Sequence, residues 1–91
     1  MIYDSIGFLE FNSIAKGIEA ADAAAKAADV SLIDVRLGMG IGGKSFVILS
    51  GDVAAANEAV MAGIRTKNAE SMLVSWIVIP NPRKEVFNAL L

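Results

Sequence analysis

A chain of 91 residues makes one domain near the small end of the usual range. That length leaves no room for the several βαβ units, each of about 30 residues, that a doubly wound nucleotide-binding enzyme needs. The sequence has no cysteine and no histidine, which excludes disulfides, thiol catalysis and cysteine-held iron–sulfur clusters and removes the commonest metal ligand and general base.

A net charge of −2 without any basic cluster argues against nucleic acid as a partner. The chain is nonetheless 55% hydrophobic, with a mean hydropathy of +0.56. A domain this small buries only about 60–65% of its unfolded surface, so much apolar material stays wet unless another copy or a partner covers it. Self-association is therefore expected. The longest strongly apolar run, WIVI at 76–79, falls far short of the roughly 18 residues of a membrane span. The opening MIYDSIG lacks the basic start of a signal peptide, and the expectation is a cytoplasmic protein with no membrane partner.

Taken in chain order, residues 5–11 (SIGFLEF) mix apolar and β-prone types and predict a strand. Asn12-Ser13 then offers N-cap chemistry for a helix reaching about residue 28. Within it Ile14, Ile18, Ala21, Ala25 and Ala28 recur at helical spacing as the expected buried stripe. Lys16, Glu19, Asp22, Lys26 and Asp29 fall on the other side, where Asp22 and Lys26 form an i,i+4 pair. Residues 31–37 (SLIDVRL) alternate Leu32, Asp34 and Arg36 against Ile33, Val35 and Leu37, a strand with one polar face. The continuous apolar run 46–49 (FVIL) reads as a strand buried on both sides. Gly51-Asp52 turns the chain, and Asp52 caps a second helix at 53–67 whose buried stripe is Val53, Ala56, Val60 and Ile64. Residues 72–79 (MLVSWIVI) form the fourth strand, Pro80 and Pro82 end it, and 83–90 make a short last helix. The order β-α-β-β-α-β is the ferredoxin-like α+β arrangement: a four-stranded antiparallel sheet with both main helices on one face. No linker or internal repeat divides the chain.

The segment GMGIGGKS, 38–45, fits two phosphate-binding patterns at once, G-x-x-x-x-G-K-S and G-x-G-x-x-G. Both require a helix directly after the loop, so that backbone N–H groups and the helix dipole meet the anion. Here FVIL follows, and it is a strand. The segment therefore reads as a hairpin loop between adjacent strands, with four glycines between 38 and 43 giving it backbone freedom. A small-ligand module using that loop as a clamp is the alternative of a different class. Asp34, Asp52 and Glu58 are explained as strand-face, cap and helix-surface residues, so no catalytic set, cofactor or metal site is expected.

The stretches IGFLEFNSIAKGIEAADAAAKAADVSL (6–32), FVILSGDVAAANEAV (46–60) and LVSWIVIPNP (73–82), in this order, resemble the bacterial microcompartment (BMC) shell proteins over nearly the whole chain. The resemblance implies a non-enzymatic, flat tile of one domain, 1–91. Six copies close into a disc with a central hole, and discs pack edge to edge with other shell proteins into a shell around enclosed enzymes. It also implies that the hairpin loop lines the hole, here Arg36, Gly38, Met39, Gly40, Ile41, Gly42, Gly43 and Lys44, giving a flexible, partly apolar opening for small metabolites. Family loops usually run lysine, glycine, small polar residue, glycine, whereas this one is about three residues longer, as surface loops permit. Lys26 matches the family's disc-edge lysine. Asn81 stands where an edge arginine is usual, with Arg83 two positions on.

Overall fold

The structure is a computed structural model and describes residues 4–38 and 43–90. Its elements are β1 (Ser5–Phe11), α1 (Ile14–Ala27), β2 (Ser31–Gly38), β3 (Lys44–Gly51), α2 (Val53–Ile64), a 3-10 turn (Ala69–Ser71), β4 (Leu73–Pro80) and α3 (Lys84–Leu90). The four strands pair antiparallel in the order β2-β3-β1-β4, the ferredoxin-like arrangement that the element order predicts.

Alternation along the two central strands separates the faces of the sheet. Leu9 and Phe11 of β1 and Val47 and Leu49 of β3 point to the helix side, where they close fully against Ala20, Ala24, Ala56, Ala59 and Val60. On the opposite face Ile6 and Ile48 are also buried, and the Phe8 and Phe46 rings pack 5.8 Å apart. The reading of β3 as buried on both sides therefore holds, and pairing extends it at both ends to Lys44–Gly51.

Both predicted caps form. The Ser13 hydroxyl accepts from Lys16 N at 3.1 Å and the Asp52 carboxylate from Ala55 N at 2.7 Å, satisfying N–H groups that a helix start leaves without an internal partner. The buried stripe of α1 differs from the expected one. Gly17, Ala20, Ala21 and Ala24 face inward, whereas Ile18 is 53% exposed and Ala25 lies outside. Size decides the orientation: Gly63 of α2 leaves only 3.4 Å between a would-be Cβ and Ala20 Cβ, a separation that only small residues allow. In α2 the inward residues are Ala56, Ala59, Val60 and Gly63, Val53 is exposed, and the helix stops at Ile64. The chain then turns through Asn68 in the left-handed region (φ 63°) into the 3-10 turn. A register shift between Leu32 and Asp34 breaks the expected alternation of β2. Leu32 pairs with Leu49, Asp34 with Ile48 and Arg36 with Phe46, so Leu32 is not on the same face as the two charged residues.

Connectivity sorts the loops into two groups. β1 and α1 run in opposite directions, so the start of α1 lies with the β2–β3 hairpin and the end of α1 lies with the Pro80 end of β4. Strands of seven and eight residues separate these ends by about 23 Å at the usual rise per residue.

Candidate functional site

The glycine hairpin emerges from the last pair of β2 and β3, Gly38 opposite Lys44. Met39, Gly40, Ile41 and Gly42 lie outside the described residues. The two feet of the hairpin are described. On the incoming side Arg36 turns its guanidinium along the face opposite α1 and α2, donating through Nε to Asp34 at 2.5 Å and through Nη2 to the Leu90 carbonyl oxygen at 3.3 Å. That carbonyl is among the last of α3, where a cation complements the negative end of the helix. On the outgoing side Gly43 takes φ +57°, a conformation that glycine adopts without a Cβ penalty. Lys44 is exposed and forms no ion pair among the described residues. Ser45 points inward and is completely buried.

This geometry answers the phosphate-loop patterns directly. Lys44 and Ser45 are the first two residues of a strand, not the opening of a helix. The Ser45 hydroxyl is spent on the Ser13 carbonyl oxygen at 2.8 Å, away from any position where it could serve a phosphate-bound cation. Beside the incoming foot, a recess of about 440 Å³ opens between Phe8, Phe46, Ile48 and Leu90, with Arg36 on its rim.

The residues expected at a disc edge occupy the other end of the sheet. Lys26 stands in the last turn of α1 and pairs with Asp22 at 2.8 Å, both side chains well exposed. The hydrogen bond that the ammonium donates to Asp22, and then the charge of that carboxylate, hold the Lys26 pKa above the ordinary lysine value of 10.5. Asn81 follows β4 in a left-handed conformation (φ 49°), and its N–H donates to the Asp4 carbonyl oxygen. Arg83 is exposed and pairs with Glu85 at 2.9 Å. The structure thus brings Lys26 and Asn81 to the same end of the domain and sets Gly38 and Lys44, the feet of the glycine hairpin, at the opposite one. Sequence reasoning weighed Ser45 only as part of a phosphate motif; its burial and its bond to Ser13 depend on packing between α1 and β3.

The sequence model of the BMC domain matches residues 5–82. The bacterial microcompartment shell protein EutM of Salmonella typhimurium is 39% identical over 88 residues, covering 92% of this chain and 88% of the relative. The chain belongs to the BMC-domain family.

Two further BMC relatives are longer. The microcompartment shell protein PduT of Citrobacter freundii is 36% identical over 86 residues, which is 94% of this chain and 47% of the relative. A crystal structure of a microcompartment protein from Desulfitobacterium hafniense DCB superposes with a TM-score of 0.87 at 45% identity, covering 97% of this chain and 49% of that one. The chain spans about half the length of each of these two proteins. The BMC match ends at Pro82, so α3, which touches the foot of the hairpin through Leu90, lies beyond it. The curated relatives are structural shell proteins, not enzymes.

Proposed function

We propose that this chain is a structural tile of a bacterial microcompartment shell. One BMC domain, residues 1–91, assembles into a cyclic homohexamer that meets other shell proteins edge to edge around enclosed enzymes, with residues 36–44 lining a central opening for small metabolites. The observation that carries this reading is the placement of the two sets of residues. Gly38 and Lys44, the feet of the glycine hairpin, are at one end of the sheet, and Lys26 and Asn81 are at the other, as a wedge in a ring requires if one end meets the axis and the other the neighbouring disc. The apolar excess fits the same assembly, because Val74, Trp76 and Ile77 lie exposed on the edge strand β4 and a closed ring covers the flanks of each wedge.

Two measurements test the proposal. Native mass spectrometry and cryo-electron microscopy of the purified protein should show six times the 9.5 kDa protomer with residues 36–44 around the symmetry axis. A monomer, or a hairpin pointing away from the axis, overturns it; a dimer stabilised by a small ligand would favour the ligand-binding module. In assembled shells, Met39→Asp places a ring of charge at the opening and should change the passage of charged solutes, since rings of side chains select by charge and size. Unchanged passage removes the hairpin from the permeation path.

A further inference from the structure

The outgoing foot of the hairpin is seated on the first turn of α1 by close contacts. The Ser13 carbonyl oxygen accepts twice: from Gly17 N at 3.2 Å, the i→i+4 bond that opens the helix, and from the Ser45 hydroxyl at 2.8 Å. Gly17 lies directly against Ser45. A Cβ built on Gly17 would stand 1.9 Å from Ser45 Oγ and 2.4 Å from Ser45 Cβ, well inside any real carbon contact, and Ser45 has no free space to retreat into because it is fully buried. Two residues earlier, Gly43 rests over Ile14, with 3.7 Å between its would-be Cβ and Ile14 Cδ1. The same helical turn is fixed from its far side, where Lys16 Nζ donates to the Lys67 carbonyl oxygen and pairs with Glu19. The point at which the chain leaves the glycine segment is therefore held by a buried hydroxyl and by the missing side chain of a helix glycine.

We propose that Gly17 and Ser45 are positioning residues for the glycine hairpin: their contact, anchored on the Ser13 carbonyl, fixes where residues 39–42 join β3 and so sets the aperture the hairpin defines. The aperture rests on the pore-lining reading above, whereas the anchoring does not. A β-carbon at position 17 must push Ser45 off its seat and move the start of β3 with it. Removing the Ser45 hydroxyl alone loosens the same foot without a clash. Gly63 supplies a matched control, since a Cβ there meets Leu9 Cδ1 at 3.0 Å in the core and touches neither foot.

The experiment compares the assembled parent protein with Gly17→Ala, Ser45→Ala, Gly17→Ala/Ser45→Gly and Gly63→Ala. The readouts are hydrogen exchange of the peptide covering 38–44 and conductance of the assembled protein in planar membranes. Gly17→Ala should speed exchange of that peptide by about tenfold or more through local opening and alter conductance. Ser45→Ala should move exchange in the same direction by a smaller factor, and it carries the test alone if Gly17→Ala does not fold. The double variant, in which the methyl added at position 17 fills the space vacated by the serine side chain, relieves the clash but not the lost bond to Ser13, and should return to about the Ser45→Ala level. Gly63→Ala should lower the melting temperature while leaving the 38–44 exchange unchanged. Equal effects of Gly17→Ala and Gly63→Ala on 38–44 exchange, or no effect of Ser45→Ala, overturn the proposal. Altered exchange with conductance indifferent both to Gly17→Ala and to Met39→Asp would keep the anchoring, withdraw its effect on an aperture and reject the pore-lining reading.

Discussion

Lys26 shows how one exposed side chain is tuned by its neighbour. Asp22 sits one turn earlier on α1 and holds the Lys26 ammonium above its ordinary pKa of 10.5, first by a hydrogen bond and then by charge. A pKa raised in the folded state adds stability that is complete below the unfolded value and fades as pH climbs through the folded one. The urea midpoint difference between the parent and Lys26→Gln should therefore be small and constant well below the ordinary lysine value of 10.5 and should close as pH climbs through the raised folded value. A difference that stays unchanged as pH rises past 10.5 would show that the pair does not form in solution. The disc-edge role of Lys26 is a separate matter read by assembly: Lys26→Ala should form sheets less readily than the parent, and equal sheet formation removes it from the edge.

At the scale of elements, most boundaries were legible because local chemistry marks them. Ser13 and Asp52 announced helix starts that form as read, the proline at 80 closed β4, and FVIL forced a strand where a phosphate motif wanted a helix. Facing was less legible. Hydrophobic periodicity favoured Ile14 and Ile18 as the inward side of α1, but the close approach of α1 to β3 and α2 admits only Gly17, Ala20, Ala21 and Ala24. Residue volume at a tertiary contact leaves little trace in a polarity pattern. The Leu32 misplacement has a similar origin, since a one-residue register shift exchanges faces and nothing in SLIDVRL signals it. For the candidate site, the family motifs singled out Lys26 and the hairpin as candidates, whereas the Gly17–Ser45 contact required the packed structure. The revised facing of α1 makes a direct prediction. Ala24→Leu should overpack the helix–sheet contact and cost about 1–3 kcal/mol, while Ala25→Leu on the outer side should stay within about 0.5 kcal/mol of the parent. Chemical denaturation of both variants checks this: equal effects would overturn the revised facing, and a larger cost for Ala25→Leu would restore the periodicity-based stripe.

For the whole molecule, the unsolved matter of a lone protomer is its wet apolar surface. Ile18, Val53, Val74, Trp76 and Ile77 are all 44–53% exposed, and two of the four strands are sheet edges. Trp76 is the sole tryptophan and lies on one of those edges at 44% exposure, so its fluorescence reports on whether the β4 edge is covered. Assembly should shift its emission to the blue relative to folded protomers released by dilution or mild denaturant, as the indole leaves water. An emission maximum indifferent to assembly would place the protomer interface away from β4. The pairing of β2 with β3 carries one more consequence. From Val35 opposite Val47 to Gly38 opposite Lys44 the ladder is fixed by the sheet itself, independently of what connects its two ends. Closure entropy rises only slowly with connector length, so peptides of different length and polarity can be spliced into this hairpin while the frame around them keeps its shape. The protein is in that sense a socket, and new inserts can be fitted to it one at a time.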